Sequence, residues 1–194
     1  MLSQLRPALL LLLCLTILTG GVYPLLITGI AKLVFPSQSA GSLLVSDGKI
    51  VGSKLIGQSF SDPKYFWSRP SATTLYANNA LASGGSNLGP LNPALIDAVK
   101  SRVDALKAAD PTNDQKIPVD LVTASASGLD PEISVAATLY QLNRVARVRG
   151  VSADKVRALI DTHTKGRVLG FLGEPRVNVL ELNLALDKEQ LGKN

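Results

Sequence analysis

The chain has 194 residues, 46% hydrophobic and 18% charged, with 20 lysines and arginines against 15 aspartates and glutamates and a formal net charge of +5. That excess is too mild and scattered for a nucleic-acid footprint. With one cysteine, Cys14, ahead of residue 36 and one histidine, the chain excludes an internal disulfide and a multi-His metal site, and residues 36–194 exclude a Cys-ligated one.

The first element is an apolar run. Pro7 to Ala31 carry no charge and are rich in Leu, Ile, Val and Thr. As a helix at about 1.5 Å per residue the run would be roughly 37 Å long, against a hydrocarbon core of about 30 Å. A cleaved secretory leader would share the Arg6 start and the apolar block Ala8 to Leu18. Here the apolar character continues to Phe35, so the run is read as a retained transmembrane helix. Thr16, Gly20, Pro24 and Thr28 recur every four residues and predict one small-residue face. Such faces let helices pack closely in lipid, where apolar surface alone drives no association. Pro24 is expected to kink the helix. Cys14, the only cysteine, lies within it.

Two segments follow: an anchor over residues 1–35 and a single α+β domain over 36–194. Only Arg6 and Lys32 of the basic residues precede the domain, which is left at about +3. The free amine and Arg6 favour a cytoplasmic N-terminus, while Lys32, Lys49 and Lys54 weigh against it. The short tail ahead of a leader-like block places the domain outside the cytoplasm, in the periplasm or extracellular space.

Within the domain, Leu43 to Val51 around Asp47-Gly48 predicts a β-hairpin with a tight primed turn. Residues 60–92 form a long Ser-, Gly- and Asn-rich connection that nevertheless holds Phe60, Tyr65, Phe66, Trp67 and Tyr76. A loop of that length is functional or disordered, and aromatics argue against disorder. Two readings stay open: a docking surface formed by Phe60, Tyr65, Phe66, Trp67 and Arg69, or aromatics that pin the loop to the core. The Gly-rich stretch Ser83 to Pro90 lacks the pattern of a phosphate loop and reads as a turn.

Asn92 and Pro93 predict a helix start, with apolar periodicity running to Ala109. A strand is expected over Ile117 to Thr123 and a helix from Asp130-Pro131, capped by Asp130 and ending at Gly150. Ser152 is expected to cap a third helix. Arg176 to Leu180 reads as a strand, and Glu181 to Gln190 fits either a strand or a final helix.

No catalytic constellation emerges. Ser152-x-x-Lys155 and Ser61-x-x-Lys64 match a short acyl-enzyme pattern, but its companion elements are missing. His163 has no partner set for a triad. Arg144, Arg147 and Arg149 could meet phosphate, yet only the first two share a helix face, and a solvated face is the default.

Several longer motifs go further. Thr19-Gly20-Gly21-Val22-Tyr23-Pro24-Leu25, Leu55 to Phe60, Tyr65-Phe66 with Arg69-Pro70-Ser71-Ala72, Ala82 to Leu88, Leu121 to Asp130 and Val177 to Asp187 occur in this order. Together they closely resemble the C subunit of the Kdp potassium-transporting ATPase, over nearly the whole chain. The resemblance implies a single-span accessory subunit of a bacterial inner-membrane complex that takes up K⁺. It implies partnership with a separate ATP-hydrolysing P-type subunit, a K⁺-channel-like subunit and a small membrane subunit. It also implies that this subunit is not itself the hydrolase; no catalytic residue, metal or bound cofactor is assigned here, and any ATP enters through the complex. The family is described as a catalytic chaperone raising the pump subunit's ATP affinity, and Gln141 is the nucleotide contact the resemblance suggests. An external domain conflicts with direct contact to cytosolic ATP, so the effect would be transmitted between sites. A stand-alone anchored serine hydrolase using Ser152 and Lys155, or a tethered binding module, would need no packed anchor.

Overall fold

The computed structural model describes residues 2–191. They divide into two compact units, with the boundary between Val51 and Gly52.

The first unit begins with a 3₁₀ turn, Leu2–Gln4, and continues as helix α1 (Leu5–Ile17), a π turn (Leu18–Val22) and α2 (Tyr23–Val34). From Leu5 to Val34 the helical run is unbroken, its most apolar 18-residue stretch has a mean hydropathy of 2.3, and no residue of the run is buried within the protein. It is long and apolar enough to cross a membrane. The π turn has a local cause. Pro24 has no N–H, and its ring crowds the carbonyl four residues back, that of Gly20. The ladder adapts just ahead of it, where the Tyr23 N–H reaches Leu18 five residues back. The interruption expected at Pro24 therefore takes the form of a widened turn that keeps the helix continuous.

A short helix α3 (Pro36–Ser39) leads to the predicted hairpin, β1 (Leu43–Ser46) and β2 (Lys49–Ser53). Asp47 and Gly48 adopt φ of 50° and 75°, as a two-residue primed turn requires.

The second unit contains α4 (Pro93–Ala109), β3 (Glu132–Ser134), α5 (Val135–Arg149), α6 (Ala153–His163), β4 (Thr164–Lys165), β5 (Arg176–Asn178) and α7 (Val179–Leu191). The strands form one antiparallel sheet in the order β3-β5-β4. Its central residue, Val177, opposes Ile133 on one side and Thr164 on the other. Helix α6 packs against both α5 and α7. Ile133, Val145, Val156, Ile160, Val177 and Leu182 meet in the interior, and each fully buried side chain of this kind stabilises by roughly 1.5–3 kcal/mol. The fold is mixed α and β, as expected.

Local signals that held include the α4 cap, where Asn92 accepts from the Ala94 N–H ahead of Pro93, and the end of α5 at Gly150. Other expectations are corrected. Residues 117–123 are not a strand: Pro118 lacks a ladder donor and precedes a 3₁₀ turn, Val119–Leu121. Helix α5 starts at Val135, not near Asp130. Asp120 accepts from the Ser134 N–H and hydroxyl at 2.8 and 3.2 Å, while Ser134 caps Ala137. That leaves residues 132–134 to pair with β5. Asp130 instead makes a turn to the Glu132 N–H and an ion pair with Arg69 at 3.0 Å. Ser152 precedes α6 but makes no side-chain cap bond. The ambiguous 181–190 stretch is helical, within α7.

Candidate functional site: a clamped loop

The loop after β2 is held by side chains rather than by a sheet. Four residues from α5 and α7 grip the segment Pro63–Trp67. Asn183 accepts from the Phe66 N–H at 2.9 Å and donates to its carbonyl at 3.0 Å. Gln141 accepts from the Trp67 N–H at 2.8 Å and donates to its carbonyl at 3.1 Å. Each carboxamide thus stands in for a neighbouring strand. Arg144 donates to the Pro63 carbonyl and, at 2.6 Å, to the Gln141 oxygen. Arg149 donates to the Lys64 carbonyl at 2.6 Å and pairs with Asp187 at 2.8 Å.

Aromatic faces complete the grip. The Arg144 guanidinium lies 4.8 Å over the Trp67 ring, and that of Arg149 lies 4.9 Å over Tyr65. The Tyr65 hydroxyl donates to Asp187 at 3.1 Å. Burial lowers the Arg144 pKa to about 10, opposed chiefly by Asp110. Burial, then the Asp187 bond, raises that of Tyr65. A buried backbone group without a partner costs about 1–3 kcal/mol, so the clamp satisfies the buried Phe66 backbone and the half-buried groups beside it.

A second set of contacts joins the loop to residues 125–130. Ser125 N–H donates to Pro70 O at 3.2 Å, Gly84 N–H to Ser127 O at 2.9 Å, and Gly57 N–H to Leu129 O at 2.8 Å. Ser71 Oγ donates to Gly128 O at 2.7 Å. The backbones approach so closely that only glycine fits at key points. Gly128 has φ +67°, and a Cβ there would sit 2.5 Å from Thr73 Cγ2; one at Gly57 would sit 2.6 Å from Asp130 O. Within the Gly-rich stretch Gly84 bonds Ser127, and a Cβ at Gly85 would sit 2.9 Å from Ala126 O, so that stretch serves as a loop junction.

The family model for the K⁺-transporting ATPase, c chain, matches residues 5–188. The chain belongs to that family. It is 64% identical over 185 residues to the potassium-transporting ATPase KdpC subunit of Variovorax paradoxus strain S110, covering 95% of this chain and 96% of the relative. It is 66% identical over 183 residues to the protein of the same description from Polaromonas naphthalenivorans strain CJ2, covering 94% and 93%. The corresponding Janthinobacterium protein is 62% identical over 186 residues, covering 96% and 98%. The motifs quoted from residues 55–60, 65–72, 82–88 and 121–130 are, in this C-chain member, largely the clamp and the loop junction.

The sequence-derived site residues fall in different environments. Phe66 is 0% exposed and is not available to a partner; it fixes the loop in the core. Phe60 and Trp67 pack against the same core, and with Tyr65 and Arg69 they are half-buried. Gln141 is 1% exposed, and both its amide hydrogens and its oxygen are engaged, with Trp67, Ala137 and Arg144. A nucleotide contact there would require this set to break. Thr16, Gly20, Pro24 and Thr28 all lie exposed on the apolar helix. A four-residue step overshoots a 3.6-residue turn by about 40°, and the π turn between Thr16 and Pro24 takes up part of that overshoot. Among the described residues no three His, Cys, Asp or Glu side chains are placed to hold a metal.

The clamp role of two arginines was missed. Arg144 and Arg149, not Arg144 and Arg147, act together, and both are buried. Arg147 instead pairs with Asp110 at 2.6 Å. A usable signal was the lone carboxamide Asn183 within the otherwise apolar stretch Leu182 to Leu186, since buried polar groups need partners.

Proposed function

We propose that this chain is a non-catalytic accessory subunit of an ATP-driven, high-affinity potassium-uptake complex in the bacterial inner membrane. It assembles with an ATP-hydrolysing P-type subunit, a K⁺-channel-like subunit and a small membrane subunit, and stabilises them. The observation that carries this reading is a 30-residue apolar helix with no buried residue on a C-chain family member. A helix that buries nothing against its own chain needs lipid and partner helices, and Thr16, Gly20, Pro24 and Thr28 offer them a close-packing face. The N-terminus lies in the cytoplasm and the α+β domain outside it. The effect on ATP affinity is then a coupling free energy passed between subunits, with Gln141 acting through the fixed loop rather than on nucleotide.

The test is a pull-down of the tagged full-length chain from native membranes in mild detergent, with the co-purifying proteins identified. Recovery of a P-type ATPase and a large channel-like subunit is expected. Recovery of the chain alone, under conditions that keep other membrane complexes intact, overturns the proposal.

A further inference from the structure

Between the clamped loop and α4 lies a cavity of about 200 Å³. Phe60 and Trp67 line it, together with Leu106 and Leu121, which are buried. Its charged lining is Arg69 from the loop and Arg102 from α4, and no acidic side chain is among the described residues around it. Apolar and aromatic walls with a few convergent polar groups are the usual make-up of a small-molecule site.

The two cations stand differently. Arg69 has its counter-charge: Nη1 pairs with Asp130 at 3.0 Å, and Nη2 donates to Ala124 O at 3.4 Å. Its Nε is buried with no hydrogen-bond partner among the described residues, and an unmet buried donor is rare. Arg102 has no counter-charge. Its Nη1 donates to Val122 O at 2.8 Å, and it makes no ion pair among the described residues. Burial pushes its pKa down, and no neighbouring carboxylate pushes it back. A guanidinium drawn partly out of water without an anion is costly, and it keeps further N–H donors in a fork that matches a carboxylate.

We infer that this cavity is a binding site for a small organic carboxylate, its head on the Arg102 guanidinium and its apolar body against Phe60 and Trp67. One uncompensated cation matches a monoanion; a phosphate dianion would keep a charge unpaired and leave the aromatic walls without a guest. The volume falls below the roughly 300–1,000 Å³ of sites for larger ligands, which suits a single ring or a short chain and is too small for a nucleotide. The site needs no residue from another subunit, so it stands apart from the accessory-subunit reading.

Trp67 is the only tryptophan, so the fluorescence of the purified full-length chain in detergent reports directly on this cavity. Benzoate is the probe, benzamide its uncharged counterpart of like shape, and inorganic phosphate the anion without an apolar body. Benzoate is expected to half-saturate near about 1 mM, ordinary for a ligand of its size, and to raise the unfolding midpoint. Benzamide and phosphate are each expected to bind about tenfold more weakly or less. Arg102→Gln should weaken benzoate about tenfold or more, while Lys100→Gln, exposed on the same helix, should leave it unchanged. Where Arg102→Gln itself lowers the unfolding midpoint, the comparison of the three probes on wild type still decides. The inference is overturned if benzoate does not saturate, if benzamide or phosphate binds as tightly, or if Lys100→Gln weakens benzoate as much as Arg102→Gln does.

Discussion

The apolar helix and the clamped loop meet the same requirement in opposite ways. Every backbone N–H and C=O withdrawn from water needs a partner. The helix supplies partners from its own ladder and bares apolar side chains; even Pro24 is accommodated by a shift to five-residue bonding. The loop, with Pro63 and Pro70 punctuating it, has no ladder and borrows polar side chains from α5 and α7. A helix solved internally can move into any environment that suits its side chains, whereas the loop is viable only while four distant residues stay in place. The helix is therefore robust and adaptable, the loop rigid and brittle.

The sharpest way to break that contrast is Asn183→Leu, which keeps the branched heavy-atom shape but strips both partners from Phe66. Two unpaired buried groups at about 1–3 kcal/mol each predict a loss of roughly 2–6 kcal/mol, read as a lower midpoint in thermal unfolding; an unchanged midpoint would show the loop is not held this way. Gly128→Ala tests the loop junction. A Cβ at φ +67° facing Thr73 is expected to cost about 1–3 kcal/mol, seen as a lower urea midpoint at constant slope. Gly20→Leu tests the helix. Since a Cβ there meets nothing of this chain within 4 Å, domain stability should not change. Partner recovery should fall about tenfold, matching roughly 1–2 kcal/mol of helix association. Unchanged recovery would remove the packing face.

The smallest effect is titration. The folded Tyr65 pKa is raised above 10, so the folded state holds that proton more tightly than the unfolded one. Its stabilisation is full below pH 10 and is lost as pH climbs above 10 through the folded value. Tyr65→Phe should make the alkaline fall in stability shallower, at the expense of about 1 kcal/mol at neutral pH from the lost Asp187 bond. Tyr140, also raised by burial, continues to titrate in the variant. Unfolding midpoints across pH 8–11 in both proteins measure this.

What could be read from sequence was what is fixed locally. The apolar run, the Asp47-Gly48 turn, the Asn92-Pro93 cap and the Gly150 stop each depend on a few adjacent residues. The start of α5 was missed because Asp120, not Asp130, settles it through space. Strands β3 and β4 are three and two residues long and exist only by pairing with β5, so no periodicity marks them. Arg144 and Arg149 look like a solvated helix face until Pro63, Lys64 and two aromatic rings are folded over them. The loop's aromatics divided correctly into neither extreme: Phe66 and Trp67 anchor, while Tyr76 is exposed.

The clamp also sets an order of events in time. Phe66 and Asn183 are separated by 117 residues, and Tyr65 and Asp187 by 122. At synthesis rates of about 5–20 residues per second, roughly 6–25 s elapse between emergence of the loop and of the helix that secures it. The N-terminal helix, built from contacts within a few residues, is complete before that interval begins. Closure of the clamp waits for Asn183 and Asp187 on α7, so the apolar helix is formed while the residues that secure the loop are still to be made, and loss of α7 would undo a loop more than a hundred residues away.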